Sequence, residues 1–250
     1  MNKLLIILLF FVVLLSSCLR KEPSPTLVYD EDGKLEEIPL AFANDSSQVQ
    51  KITIHDLPTR FEGTDVLIHP IGYIDNLKNK AKFRSKYGSG SQTDFGISNS
   101  YKDRIDGIIT NVIFEDVKTG ARKELTERKL QISRIQFAKE LFEVNEAQYL
   151  IYTVTDSDTN QDQRLNGLDI QSLYISQIDG SDFQKLNKDL SQVIAWEILP
   201  KLGRLYFRTV EDSNRNGLFD IEDDFTNFFC ELRNTEKGLF KVHSYKFVQN

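Results

Sequence analysis

Cysteine is almost absent from this chain of 250 residues, which contains only Cys18 and Cys230. A disulfide within one copy would need both of them. If either carries another modification, something other than a disulfide must stabilise the fold outside the cytoplasm. Cys230 lies in the alternating run "NFFCEL", which predicts a small buried apolar side chain rather than a reactive thiol.

Histidine and known catalytic motifs are equally scarce. The three histidines, His55, His69 and His243, each lie in a separate strand-like run, which favours packed or surface side chains over catalytic ones. The sequence contains no G-x-S-x-G, H-E-x-x-H or phosphate-binding loop. A net charge of −6 argues against a nucleic-acid partner. These absences favour a binding or scaffold module over an enzyme; an envelope enzyme, for example a carbohydrate-acting hydrolase, is the alternative.

The N-terminus "MNKLLIILLFFVVLLSSC" has one positive residue and then an apolar run from Leu4 to Leu15. This run is too short to span a bilayer with ease and predicts a secretory signal over residues 1–17. Its end, "LSSC", resembles the lipobox of bacterial lipoprotein precursors. The resemblance implies cleavage before Cys18, lipid on Cys18, and a place in the bacterial envelope, with the outer membrane favoured over the inner. An ordinary signal followed by a chance cysteine is the alternative.

The rest of the chain divides into a tether and one β-rich domain. Residues 18–26 are predicted to be the lipidated cysteine and tether, and 27–250 the domain. Short runs rich in Ile, Val, Tyr and Phe, bounded by Gly, Asp, Asn or Pro, predict strands throughout the domain. One hairpin is predicted over 27–40, and only Phe137 to Ala147 has helical spacing. The predicted class is therefore all-β.

An internal repeat organises these strands. Aligning Tyr149–Leu186 with Arg204–Phe240 superposes Asp158 on Asp212, 54 residues later. Each unit is predicted to have four antiparallel strands, with an acidic loop between the second strand and the third. A weaker third copy precedes them, with "ITIHDL", "VLIHPIGYI", "NVIFEDV" and "ARKEL" as its strands.

The stretch "SLYISQIDGSDFQKLN" resembles the outer hairpin of TolB-type propeller repeats. The resemblance implies a propeller-like fold of about three repeated four-stranded units. Because propellers have four to eight blades, three alternatives follow. The N-terminal hairpin contributes to another sheet, the units stack without closing a ring, or two chains complete each other.

The two acidic loops are "DTNQDQRLNGLD", residues 158–169, and "DSNRNGLFDIED", residues 212–223. They share the pattern D-x-N-x-[DN]-x-x-[LF]-[DN]-x-x-D, which resembles the calcium loops of EF hands and, through Asp at position 12, of dockerin modules. Calcium takes six to eight oxygens, which such a loop offers from the side chains at positions 1, 3, 5, 9 and 12 and the carbonyl at position 7. The predicted ligands are Asp158, Asn160, Asp162, Arg164, Asn166 and Asp169 in the first loop, and Asp212, Asn214, Asn216, Leu218, Asp220 and Asp223 in the second.

The two loops are not predicted to bind equally. Position 6 requires a sharp turn, which Gly217 provides in the second loop, whereas the first loop has Gln163 there. The first loop has an additional nearby acid, Asp156. The apolar residues at position 8, Leu165 and Phe219, are expected to anchor the loops to the core. The alternative is that Asp and Asn simply form solvated turns.

The insertion at 76–107 begins with the basic stretch "NLKNKAKFRSKYGSGSQTDF". It is either a contact for an anionic glycan, a lipid head group or an acidic protein, or a mobile solvated loop.

Taken together, these features of the sequence predict a membrane-anchored envelope lipoprotein with a calcium-binding, propeller-like domain. Its expected partners are the membrane and an envelope protein or glycan.

Overall fold

The computed structural model describes residues 25–29, 33, 51–75, 83–84, 92–93, 96–232 and 240–245. Over these residues the chain forms three antiparallel sheets of four to six strands, which close no barrel, together with a two-stranded hairpin and one short helix. The all-β prediction is confirmed.

The strands form three sheets, and the first two sheets interleave along the chain. The first sheet contains β1 (Lys51–His55), β2 (Val66–Asp75), β7 (Asn111–Asp116) and β8 (Arg122–Glu124), in that spatial order. The hairpin consists of β3 (Phe83–Arg84) and β4 (Gln92–Thr93). The middle sheet has, from one edge to the other, β5 (Ser98–Ser100), β6 (Arg104–Ile109), β9 (Gln131–Phe137), β10 (Tyr149–Thr155), β11 (Ser172–Gln177) and β12 (Gln184–Lys185). The third sheet is β13 (Ser191–Leu199), β14 (Arg204–Glu211), β15 (Asp224–Glu231) and β16 (Val242–Tyr245).

The helix α1, Lys139–Asn145, lies inside the segment whose spacing predicted it. It ends at Glu146, whose left-handed backbone (φ 62°) places its N–H on the carbonyl of Phe142. Among the described residues, no helix is long and apolar enough to cross a bilayer.

The middle sheet is buried on both faces. Along β10, Leu150, Tyr152 and Val154 pack into a core shared with the first sheet, whereas Tyr149 and Ile151 pack into a second core shared with the third sheet. Because successive strand residues point to opposite faces, a strand between two cores needs apolar residues at nearly every position. The run "YLIYTV" satisfies this requirement.

The four-stranded units appear in the predicted order. The first acidic loop connects β10 to β11, and the second connects β14 to β15, so both lie between the second and third strands of their units. The four runs of the weaker copy form β1, β2, β7 and β8. The sequence did not predict that the insertion at 76–107 supplies β5 and most of β6 to the edge of the middle sheet.

The last two units pack with equivalent faces towards each other. Ile151 and its repeat counterpart Leu205 both lie in the core between the middle and third sheets. Units repeated radially about an axis would instead pack the front of one unit on the back of the next. The register also differs by one residue: Tyr152 pairs with Tyr174, whereas Tyr206 pairs with Phe229.

A glycine in the turn after β11, Gly180, tests the packing of the first sheet on the middle one. Gly180 has φ +76°, and a Cβ there would overlap the ring of Phe114. We expect Gly180→Ala to lower the free energy of unfolding by about 2–4 kcal/mol, through backbone strain and overpacking. The control Gly120→Ala has a similar φ, +69°, and open space around the site, so only about 1 kcal/mol should be lost. Equal losses in denaturant unfolding would show that this contact adds nothing.

Candidate functional site

The two acidic loops form the same hydrogen-bond pattern. The carboxylate at position 1 accepts the N–H groups at positions 5 and 6, and the side-chain oxygens at positions 3, 5 and 9 each accept the N–H two residues further on. In the first loop the pairs are Asp158 with Asp162 (3.2 Å) and Gln163 (2.7 Å), Asn160 with Asp162 (2.9 Å), Asp162 with Arg164 (2.9 Å), and Asn166 with Leu168 (2.8 Å). In the second they are Asp212 with Asn216 (3.1 Å) and Gly217 (2.8 Å), Asn214 with Asn216 (2.9 Å), Asn216 with Leu218 (2.8 Å), and Asp220 with Glu222 (2.8 Å).

The aspartate at position 12 closes each loop. One oxygen of Asp169 accepts the N–H of Thr159 (2.8 Å), and the other accepts the N–H of Asn166 (2.9 Å). Asp223 repeats this arrangement with the N–H groups of Ser213 (3.0 Å) and Asp220 (3.0 Å). The position-12 carboxylate therefore joins the beginning of its loop to position 9.

The backbone conformations also agree. Positions 4 and 6 have positive φ in both loops: 60° at Gln161 and 64° at Gln163, and 60° at Arg215 and 80° at Gly217. Gln163 thus adopts the turn that glycine makes in the second loop, at a cost of about 1–3 kcal/mol for a left-handed non-glycine residue. The strained turn expected at Gln163 is therefore present, and the unequal calcium binding of the two loops stays a prediction.

The position-12 aspartates are buried without a cationic side chain. Asp169 is 0% exposed and Asp223 is 6% exposed, and within the described part of the chain neither forms an ion pair with Lys, Arg or His. Burial raises the pKa of Asp169, and the N–H donors at Asn166, Thr159 and Asn160 oppose that rise. Since aspartate is rarely buried unpaired, a hard cation would compensate both carboxylates, and the oxygen-only donors of the loops suit one.

The loops are not closed into a cage. Over the described residues, no group of three or more His, Cys, Asp or Glu side chains is placed to hold a metal ion. The acids at positions 1 and 12 engage the backbone of their own loop instead. Within the first loop, the amide of Asn166 donates to Asp162 at 3.1 Å, so positions 5 and 9 are in contact. Coordination by the predicted set, including the carbonyls of Arg164 and Leu218, therefore stays a prediction.

Asp156, the additional acid near the first loop, belongs to a different network. Its carboxylate accepts the hydroxyl of Tyr174 (2.6 Å) and the ammonium of Lys185 (2.9 Å), with the guanidinium of Arg128 at 3.7 Å. The Asp156 side chain is 6% exposed. Burial, followed by the hydrogen bond to Asp156, raises the pKa of Tyr174. Asp156 therefore ties β11 to β12, and its carboxylate is already engaged.

The apolar residues at position 8 anchor the loops only in part. Leu165 and Phe219 are half-buried, and neither belongs to the two cores. Phe219 instead lines an open hollow of about 390 Å³ at the end of the third sheet. The other apolar side chains around this hollow are Ile194, Val210, Ile221 and Phe225.

A short N-terminal segment contacts both loops. In this N-terminal strap, residues 25–29, the N–H of Thr26 donates to the carbonyl of Leu168 in the first loop (3.2 Å), and the N–H of Leu27 donates to the carbonyl of Gly217 in the second (3.0 Å). The hydroxyl of Tyr29 donates to Asp212 at 2.8 Å. The sequence did not predict this docking, because backbone hydrogen bonds leave no residue signature.

The remaining candidates are placed as follows. Cys18, most of the predicted hairpin over 27–40 and most of the basic start of the insertion lie outside the described residues. Cys230 is buried as expected, and burial raises the pKa of its thiol to about 12. His69 lies 3.1 Å from Glu115, and His243 stacks on Phe229. Comparisons with protein-family models, with curated proteins and with solved structures found no match for this chain.

Proposed function

We propose that this protein is a lipid-anchored module of the bacterial envelope that binds calcium through its two acidic loops and serves as a binding or scaffold domain. One observation carries the proposal: loops 54 residues apart repeat the same hydrogen-bond pattern and bury a position-12 aspartate without a cationic side chain. Turns that only face solvent have no need to bury a carboxylate. Lipid anchoring rests on the "LSSC" sequence and the apolar run before it.

Calcium would act here as a structural ion. It would neutralise acids that otherwise repel each other; the segment from Glu211 to Asp224 holds six acids and one Arg. Both loops join central strands, and the N-terminal strap contacts both of them. An ion in each loop would therefore stabilise the middle sheet, the third sheet and the strap together, a role that disulfides play in many exported proteins.

The outer face of the third sheet supports a binding role. Tyr206, Phe229 and Tyr245 form a three-membered cluster there, with ring centroids 5.8 to 6.3 Å apart, and the guanidinium of Arg204 lies 4.3 Å from the ring centre of Phe229. Aromatic residues and Arg are the types enriched where proteins bind partners. An envelope protein or a glycan is the partner that we propose for this face.

The enzyme alternative would be favoured by a deep, acid-lined pocket away from the loops. The hollow beside the second loop is of another kind, because it is open and its lining is mainly apolar. A binding module is therefore the function that the described surface supports best.

We further propose that the four-stranded units are related to TolB-type repeats and stack without closing a ring. Their strand order and the shared position of the acidic loops support this relation. The last two units pack with equivalent faces towards each other, as at Ile151 and Leu205. Such a pair cannot be continued by the same rotation about an axis, so this packing agrees with an open stack.

A calorimetric titration with calcium tests the proposed binding. We expect two sites with dissociation constants of roughly 0.1–1 mM, the range of extracellular calcium modules. The site containing Gly217 should bind more tightly than the site containing Gln163. Magnesium should bind less well, since it prefers a smaller and more rigid shell. No heat of binding at millimolar calcium would contradict the proposal.

A further inference from the structure

Apolar side chains are exposed where the second loop meets the third sheet. Ile221 is 93% exposed, Phe225 47% and Ile194 45%. Together with Phe219 they surround the open hollow, whose remaining lining consists of Val210 and the acidic residues Asp220 and Glu222. We call Ile194, Phe219, Ile221 and Phe225 the apolar tip. Leu218, next to it in the chain, is also 50% exposed.

The internal repeat shows that the loop does not need these apolar residues in order to fold. The second loop has Leu218 and Ile221 at positions 7 and 10, where the first loop has Arg164 and Gly167. Both loops nevertheless form the same hydrogen bonds at positions 1, 3, 5, 9 and 12. Exposed apolar patches of this kind mark interaction sites. The two side chains are therefore available for a contact outside the domain.

The N-terminal strap indicates what that contact is. Leu27 is 6% exposed and donates its N–H to Gly217, the neighbour of Leu218. Only six residues lie between Cys18 and Pro25, and the seven steps of chain between these two residues span at most about 25 Å. Lipid on Cys18 would therefore hold the N-terminal strap, and with it the second loop, close to the bilayer.

We propose that the apolar tip docks into the surface of the bilayer that holds the lipid anchor. This inference rests on the proposed lipidation of Cys18. Ile221 and Phe225 would enter the interface between head groups and acyl chains, so that the domain has a fixed orientation on the membrane. The six acids between Glu211 and Asp224 would oppose approach to anionic head groups. Docking on such lipids therefore strengthens when calcium neutralises the loop.

A fluorescent probe on the mature lipidated chain tests the docking. Ile221→Cys carries an environment-sensitive fluorophore, and Leu57→Cys, 88% exposed and following β1 of the first sheet, is the matched control. Cys230 is 0% exposed and Cys18 would carry lipid, so the introduced thiol is the one open to labelling. The protein is reconstituted in vesicles of phosphatidylethanolamine and phosphatidylglycerol that contain spin-labelled lipid. With calcium, the probe at 221 should shift to the blue and lose most of its fluorescence, and the probe at 57 should keep it.

The outcomes separate the docking from the anchor. Chain that floats with the vesicles while its probe at 221 stays unquenched would overturn the docking and leave the anchor standing. Wild-type chain that fails to float, as Cys18→Ser is expected to fail, would overturn both. A spectral shift at 221 that depends on protein concentration without vesicles would assign the apolar tip to a second copy of the chain and overturn the membrane contact. Equal quenching in calcium and in chelator would retain the docking and remove its dependence on calcium.

Discussion

In a thermal melt, the chain in excess calcium is expected to unfold at a higher temperature than the same chain in chelator. The reason is mass action, since the unfolded chain has no assembled loop and the proposed calcium sites would bind the ion better in the native state. At a calcium concentration one hundred times the dissociation constant, each site adds about 2.7 kcal/mol. That amount is a large share of the 5–15 kcal/mol typical of a domain. Coincident melts would mean that the acidic loops are turns alone.

Paired substitutions assign the calcium response to the loops. Asp212→Asn with Asp223→Asn should remove most of it, and the same changes at Asp158 and Asp169 should remove a smaller part, because the first loop already carries the strain of Gln163. In chelator, the melting temperatures of both double variants should differ less from that of the unmodified chain than they do in calcium. The reason is that asparagine keeps one acceptor oxygen for the backbone N–H groups. A response that survives both double variants would place calcium elsewhere.

Asp156→Ala is expected to cost about 3–5 kcal/mol of the free energy of unfolding, the range for breaking a buried ion pair. The substitution leaves the buried hydroxyl of Tyr174 without its acceptor, and leaves the ammonium of Lys185 (19% exposed) with only the exposed carboxylate of Asp189. The calcium response should not change, because the Asp156 carboxylate is held by this network. Denaturant unfolding with and without calcium measures both quantities.

The matched control for Asp156 is Asp189→Ala. Asp189 contacts the same ammonium of Lys185 at 2.7 Å, but its side chain is 87% exposed, and exposed ion pairs contribute about 0–1 kcal/mol. Lys185 lowers the pKa of Asp189, so the small stabilisation is present above the ordinary aspartate pKa and is lost as the pH falls through the lowered one. Equal losses from the two substitutions would show that burial does not strengthen the Asp156 contacts.

The sequence predicts the strands and the loops well because both depend on local patterns. Alternating or continuous apolar runs identify β10 and β14, and the spacing of Asp and Asn identifies two loops whose hydrogen bonds then coincide. Strand pairings that depend on the whole fold are not predicted by such local patterns. Strand β5 lies in a polar stretch, "SNS", and its place at the edge of the middle sheet follows from its contact with β6.

The contacts that escaped prediction are those without a residue signature. The N–H of Leu27 donates to the carbonyl of Gly217 in the second loop. A Cβ on Gly217 would lie 2.7 Å from the carbonyl oxygen of Leu27. Two features therefore favour glycine at position 6, namely the sharp turn and the close approach of Leu27, and the sequence indicates only the turn. Asp156 is similar, since its proximity to the first loop in the chain suggests a ligand, whereas Lys185 and Tyr174 become its neighbours only when β11 and β12 pair.

The path of the chain between the first two sheets limits where it can be divided. After β6 in the middle sheet, the chain builds β7 and β8 in the first sheet and then returns to the middle sheet at β9. A break between β6 and β8 therefore leaves both sheets with strands on each fragment, whereas a break near residue 190 separates the third sheet as one continuous piece. Duplication, deletion or exchange between copies is topologically simple for that piece alone, and it is the piece that carries Gly217 and the apolar tip.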